Sequence, residues 1–383
     1  MCANPMNILT RRFRFSSTLW FALTILYICF SFFLFFKWVD PSLDGRSDKH
    51  IAADSTTYIE IADSLRQGGA DPLMIAAFFS FPNTLLCPTL IALILKSTFA
   101  MVVANYVMLF WALALLKRGF SFSVWGFLGL LALNATTTIS LISVNKEIVD
   151  LLAVSIFIYA IRRRHISLLL LALLLASLNR FEVSLAMLVF LFVTSKLNPW
   201  RQKRALTLGA LIIGISVTLP LLASESLNVH IEDASGGHAV VWLDYLEMHY
   251  LYGLAVIPKI AENLFAEIID IQKFHAYLEF SDIANTYILF FNNLATAIVL
   301  GILVRKRAFV LKNDLIYFAA IGWIVMAIAL VIQPRYFYFA YVLLCLQATQ
   351  MRTGGPAGEM SLRPNGRRGP NASLLDHKET AFG

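Results

Sequence analysis

The sequence predicts an all-α, polytopic integral membrane protein with roughly ten transmembrane helices, each near the ~20 residues that cross a hydrocarbon core. Three observations carry this reading. Long apolar runs recur without the in-out alternation of a transmembrane barrel. Only 14% of residues are charged and 58% are hydrophobic, where a soluble domain is about 25% charged. Basic clusters punctuate the apolar runs, as they do on the cytoplasmic side of membrane proteins.

The first run, "STLWFALTILYICFSFFLFF", follows Arg11, Arg12 and Arg14. Its front end resembles a signal peptide. Its apolar part is too long, however, and it ends in "FFKWVD" with no small-residue cleavage site, so it reads as a retained span. Further apolar segments lie near residues 98–116, 121–143, 147–161, 166–179, 183–195, 205–223, 284–304, 315–332 and 336–350. Between them fall Lys117 and Arg118, the run Arg162 to His165, the stretch Lys196 to Arg204, and Arg305 to Arg307 with Lys312. A chain that starts inside returns each of these clusters to the cytoplasm and keeps its C-terminus there.

One apolar stretch, Leu73 to Lys96, breaks that parity. Pro82 and Pro88 interrupt its helical continuity, and it reads as a re-entrant or surface-lying pair of short helices on the outer side. The alternative is a full crossing, which would turn Lys117, Arg118 and the triple arginine outward. The transmembrane domain is then 1–350, with an acidic first external loop at about 38–97 carrying short juxtamembrane helices, and a long external loop at about 224–283. The Gly-, Pro- and Ser-rich tail 351–383 reads as disordered and cytoplasmic, which would leave the sequon at Asn371 unused.

Several classes drop out. Cys2, Cys29, Cys87 and Cys345 are scattered and suggest neither a disulfide framework nor a metal site. The formal charge of +7 comes without a basic stripe interleaved with aromatics, so no nucleic-acid partner is expected and the cations read as topology signals beside anionic lipid. His230, His238, His249 and His275 lie at no metal-ligand spacing. No cofactor is expected, and a divalent cation has no clear ligand motif.

The threading collects unusual charges on the outer face. The first external loop carries Asp40, Asp44, Asp48, Asp54, Glu60 and Asp63. Short turns carry Asn145, Lys146 and Glu147, then Asn179, Arg180 and Glu182, and finally Gln333 and Arg335. Ionised groups at membrane depth cost a few kcal/mol unless paired or solvated, so acids and stranded cations on one face point to an anion site with an acid/base group beside it. Each residue has a plainer reading. Asp54 precedes a helix whose stripe is Tyr58, Ile61, Ala62 and Leu65, and is a natural N-cap. Lys146 and Glu147 can pair with each other. Arg180 can snorkel to the interface, and it is too close to Glu182 along the chain to face it. "RYFYFAY" reads as an interfacial aromatic belt. Asp150 is the main candidate for a buried charge.

The order Asp54, Tyr58, Ala62, Gly68 after the first span resembles the first-loop signature of the GT-C membrane glycosyltransferases, nearest the branch of aminoarabinose transferases and protein O-mannosyltransferases. A proline-containing apolar stretch follows, "FPNTLLCPTLIALI", and "QPRYFYFAYVLL" resembles the Arg-Tyr stretch that opens a late helix there. "NKEIVDLL" and "LNRFEVSL" are similar to turns of envelope glycosyltransferases and polysaccharide polymerases. Ser55 stands where the family often has a second acid.

The resemblance implies transfer of a sugar from a polyprenyl-phosphate or -diphosphate carrier to an envelope glycan, lipid or protein acceptor. Asp54 would be the general base, Arg335 would hold phosphate, and Tyr58, Lys146, Glu147, Arg180 and Glu182 would line the substrate site. A bacterial inner membrane with a periplasmic active face is the expected setting, with the endoplasmic reticulum lumen as its counterpart. Two other functions fit the composition: a polymerase that elongates lipid-linked repeat units, and a transporter of lipid-linked or small solutes.

Overall fold

The computed structural model describes residues 17–35, 53–68, 86–226, 245–246, 248–269, 283–328 and 334–350. Among them the secondary structure is helical, apart from one isolated antiparallel bridge between Phe122 and Gln350. The basic run at 11–14, Asp40, Asp44, Asp48, residues 69–85, most of the long loop, Gln333 and the tail lie outside the described residues.

The helices in chain order are α1 (Ser17–Leu34), α2 (Ala53–Arg66), α3 (Leu86–Leu95), α4 (Thr98–Gly119), α5 (Val124–Leu133), α6 (Ala135–Ile142) and α7 (Lys146–Arg163). Then come α8 (Ile166–Asn179), α9 (Phe181–Thr194), α10 (Arg204–Ser226), α11 (Gly253–Ile269), α12 (Ile283–Arg305), α13 (Asp314–Met326) and α14 (Tyr338–Thr349), the last preceded by a 3-10 turn, Pro334–Phe337. Short polar side chains start them. Ser97, Ser123, Asn134 and Asn313 each accept a hydrogen bond from a backbone N–H of the following turn, as N-caps do. Helix α7 ends on Arg164, whose φ of 60° breaks the helical repeat.

Of the described helices, α4 alone is long and apolar enough to cross a bilayer by itself. Helices α5 and α6 pass the same test as a pair, but they are bent by 90° at Asn134. The sequence led us to expect one continuous helix over 121–143, and the structure replaces it with this broken one. The break has a physical cause. The Thr136 N–H is accepted by Asn134 Oδ1 and also by Asn292 Oδ1 of α12, each at 3.0 Å, and Asn292 Nδ2 donates to Thr136 Oγ1 at 2.8 Å. Two carboxamides thus start a new helix where one could have continued.

The broken pair still joins both ends of the bundle, because it runs antiparallel along α14. Ser123 N donates to Thr349 O, Tyr341 Oη to Leu130 O, and Thr137 Oγ1 to Tyr338 Oη. Helix α14 is buried along nearly its whole length. It meets α13 at Gly322, where an added Cβ would stand 2.2 Å from the Phe339 ring. Phe157, Phe190 and Phe318 pack edge-on or tilted against one another in the core, with ring centroids 4.8–6.3 Å apart.

The helix ends sort by charge. At one end Arg163 donates to Arg118 O, Lys306 to Ala348 O, and Arg204 pairs with Asp314 while donating to Leu311 O and Lys312 O. These belong to the basic clusters within the described residues, gathered on one side. The opposite end carries the starts of α7, α9 and α14.

Helix α3, ten residues or ~15 Å long, covers about half of a ~30 Å core, and it packs beside α2 at that opposite end. Helix α11 lies inside what the sequence presented as an external loop. It buries Val256 and Leu264 and exposes Leu254 and Ile257.

Candidate functional site

Four chain segments converge at the end opposite the basic clusters. Helix α7 contributes Lys146, Glu147 and Asp150 from its first two turns, and all three are buried. Glu147 and Asp150, three apart, share one helical face. The junction between α8 and α9 meets that face with Asn179 and Arg180, both buried. Arg180 Nη2 donates to Glu147 Oε1 at 3.2 Å, and its Nη1 lies 3.6 Å from Asp150 Oδ2. Asn179 Nδ2 donates to Asp150 Oδ1 at 2.6 Å and to Lys146 O at 2.8 Å. Ser140 of α6 donates to the second oxygen of Glu147 at 3.3 Å.

Glu147 therefore pairs across 33 residues of sequence with Arg180. Burial works against the guanidinium's charge, but Asp150, Glu147 and Glu182 outweigh it and raise the Arg180 pKa. An arginine so placed is permanently charged. Burying a guanidinium with two carboxyl groups is tolerable only because each is paired or hydrogen-bonded.

The third segment is the turn before α14. The Tyr336 ring lies 5.0 Å from the Arg180 guanidinium carbon and 5.6 Å from that of Arg335. Two of the three cations expected at the site, Arg180 and Arg335, thus meet on one phenol ring, and Arg335 itself is half-buried. Glu182, in the first turn of α9, has a buried Oε2 that accepts no hydrogen bond from the described residues.

The fourth segment is α2. Ser55 Oγ, fully buried, accepts the Val144 N–H at 3.2 Å, two residues before Lys146. Asn105 of α4 donates to the carbonyls of Ser140, Leu141 and Ser143 and so fixes the turn on which α2 rests. Arg66, at the far end of α2, pairs with Asp63 and donates to Leu93 O of α3. Helix α2 begins at Ala53, so Asp54 stands within its first turn and not at the cap position before it. The Asp54 side chain lies outside the described residues, but its backbone adjoins the Ser55 contact. Tyr58 is packed with Ala62, Ala92, Met101 and Val144, so its ring serves the seam between α2, α3 and α4.

A second polar group was not anticipated. Asn134, Asn263, Asn292, Asn293 and Thr296 face a tight crevice with Trp323, Tyr338 and Tyr341. Its sequence signal was present, as carboxamides inside the apolar runs, but neutral polar groups do not stand out where charges do. Among the described residues no group of three or more His, Cys, Asp or Glu side chains is placed to hold a metal ion.

Comparison of the chain with family models, with characterised proteins and with solved structures returns no match of any of the three kinds.

Proposed function

We propose that the protein is a multi-pass membrane glycosyltransferase that moves a sugar from a polyprenyl-linked phosphate to an acceptor hydroxyl at the face opposite the basic clusters. One observation carries the reading. Helix α2, which bears Asp54, is docked through Ser55 onto the turn that opens into Lys146 and Glu147, and that turn belongs to the same cluster as Arg180, Tyr336 and Arg335.

In the proposed reaction Asp54 takes the proton of the acceptor hydroxyl, whose oxygen forms a bond to the anomeric carbon. The bond from that carbon to the phosphate oxygen breaks, and its electron pair leaves on the lipid phosphate. Direct displacement inverts the sugar carbon. Arg335 receives the developing charge with its planar fork. Arg180, already committed to two carboxylates, orders the site more than it binds the leaving group. Lys146 supplies further positive charge, and the buried Glu182 oxygen is an acceptor that a sugar hydroxyl would satisfy. The apolar helices shorter than a bilayer are read as members of a packed bundle of about ten spans, with a bacterial inner membrane as the setting.

The substitution Asp54→Asn tests this. Transfer should stop while expression, folding and lipid-donor binding persist, as read by mass spectrometry of lipid-linked glycans and envelope polysaccharide. Retained turnover removes Asp54 from the mechanism, and a ladder of repeat units in place of single-sugar products assigns a polymerase.

A second reading, transport, is favoured by Asp150, which is buried with Arg180 one turn inside α7. Intramembrane carboxylates often serve ion or solute pathways. Flux in proteoliposomes without a covalent product would decide for it.

A further inference from the structure

Helices α1, α4 and α5 leave a cavity of about 160 Å³ between them. Thr24 and Tyr27 of α1, Tyr106 and Phe110 of α4, and Trp125 and Ala132 of α5 stand on its walls. Among the described residues none with a charge lines it, and the Tyr27 hydroxyl is already bonded to Thr138 Oγ1 at 3.0 Å. An apolar cavity of about this size stays free of water. Hydrocarbon suits it.

The helical rise gives its depth. Phe110 and Tyr106 stand about 12 and 18 Å before Arg118 along α4, at ~1.5 Å per residue. Half of a hydrocarbon core is about 15 Å, so the cavity lies where the far half of an acyl chain runs when its head is at the basic end. Toward the opposite end, rings close the seam between α1 and α4. Phe32 stacks on Tyr106 with centroids 5.5 Å apart and tilts against Phe99 at 6.0 Å.

The basic end supplies a place for the head. Lys117 follows Phe110 by about two turns and so falls on the same face of α4. Its Nζ donates to Phe122 O at 3.1 Å, just before α5 begins, which puts the ammonium at the mouth between the two helices with further protons to donate. Arg118 is its neighbour, and Arg163 Nη2 donates to Arg118 O at 3.1 Å. All three side chains are exposed. Among the described residues the ion pairs lie elsewhere, at Arg66, Arg180 and Arg204. Three cations without a carboxylate attract an anion, and the cavity beyond them attracts a chain.

We propose that this is a binding site for an anionic phospholipid of the leaflet at the basic end. Its phosphate lies against Lys117, with Arg118 and Arg163 adding positive charge, and one acyl chain fills the cavity between α1, α4 and α5. The inference rests on the multi-pass membrane reading and is independent of sugar transfer. Cations at this end also set topology, a role that needs no cavity beyond them.

The test uses the full chain in phosphatidylcholine nanodiscs. Trace phosphatidylglycerol or phosphatidylcholine, each with a diazirine in the middle of one acyl chain, is photolysed and the label is mapped by residue. The phosphatidylglycerol probe should label 24–28, Tyr106 and 125–132 about fivefold more than the phosphatidylcholine probe, the excess that one lysine beside a headgroup supports. Ile213 of α10, 66% exposed, should take both probes equally. Lys117→Gln should bring the ratio at the cavity close to one. Ala132→Phe, which fills the cavity, should remove the label there from both probes and leave Ile213 unchanged. Lys117→Gln alters an exposed side chain only, so the charge dependence is read even where Ala132→Phe lowers the melting temperature.

Uniform labelling of the cavity and Ile213 by both probes overturns the site. Equal labelling of the cavity by the two probes, above that of Ile213, overturns the anionic assignment. Ile213 labelled with a silent cavity sinks this inference alone, whereas an Ile213 that neither lipid reaches sinks the membrane reading beneath it.

Discussion

Arg180 illustrates how far single residues can be read. Its charge, sitting in a turn on the less basic side of the chain, marks it as unusual in the sequence alone, and so do Lys146, Glu147, Glu182 and Arg335. Its partners are not legible, because Glu147 and Asp150 are about thirty residues away and the pairing exists only once α7 lies against the α8–α9 junction. The contact of Arg180 with the Tyr336 ring was hidden for the same reason. Removing one member of a buried ion group costs more than removing all of them, since the survivors stay charged and desolvated. Arg180→Leu is therefore expected to lower stability by about 3–5 kcal/mol. Adding Glu147→Gln and Asp150→Asn to it should recover part of that loss. Thermal unfolding in detergent measures both, and a single variant as stable as the parent would show that the network carries no net stabilisation.

At the scale of elements, apolar length foretold where most helices lie, and the observed α4, α8, α9 and α12 fall close to the expected segments. It failed at two places. Residues 121–143 are apolar enough to be one helix, but Asn134 and the distant Asn292 both accept the Thr136 N–H and start a second one. An N-cap side chain from another helix leaves no local trace in the sequence. Helix α11 was missed because Lys259, Glu262, Glu267 and Pro258 interrupt its apolar pattern, although Lys259 is itself buried and bonded to the Tyr252 hydroxyl. Asn134→Ala and Asn292→Ala should each cost about 1 kcal/mol, the usual worth of a cap. The double variant should cost more than the sum, because either side chain alone still accepts the Thr136 N–H and only the loss of both leaves it buried and unpaired. Strict additivity in a double-mutant cycle would mean the two caps act independently.

For the whole molecule the decisive property is polarity from end to end. Arg118, Arg163, Arg204 and Lys306 gather at one end, and the start of α2 and the Arg180–Tyr336–Arg335 group at the other. In a cysteine-free background, Asp54→Cys and Arg335→Cys should therefore react with an impermeant thiol reagent from the same compartment, and Arg163→Cys from the opposite one. Labelling of positions 54 and 335 from different sides would dissolve the shared site.

By itself the sequence determined that the chain is helical and apolar, which side of each segment is basic, and which charged residues are out of place. Those properties are local, set by the cost of moving a side chain from water into hydrocarbon. Tertiary structure alone decided that Glu147 belongs to Arg180, that one tyrosine serves two arginines, and that an apolar run bends at Asn134. Each of these depends on a hydrogen bond, ion pair or ring contact between segments far apart along the chain, and such contacts have no energy until the helices that carry them are packed together.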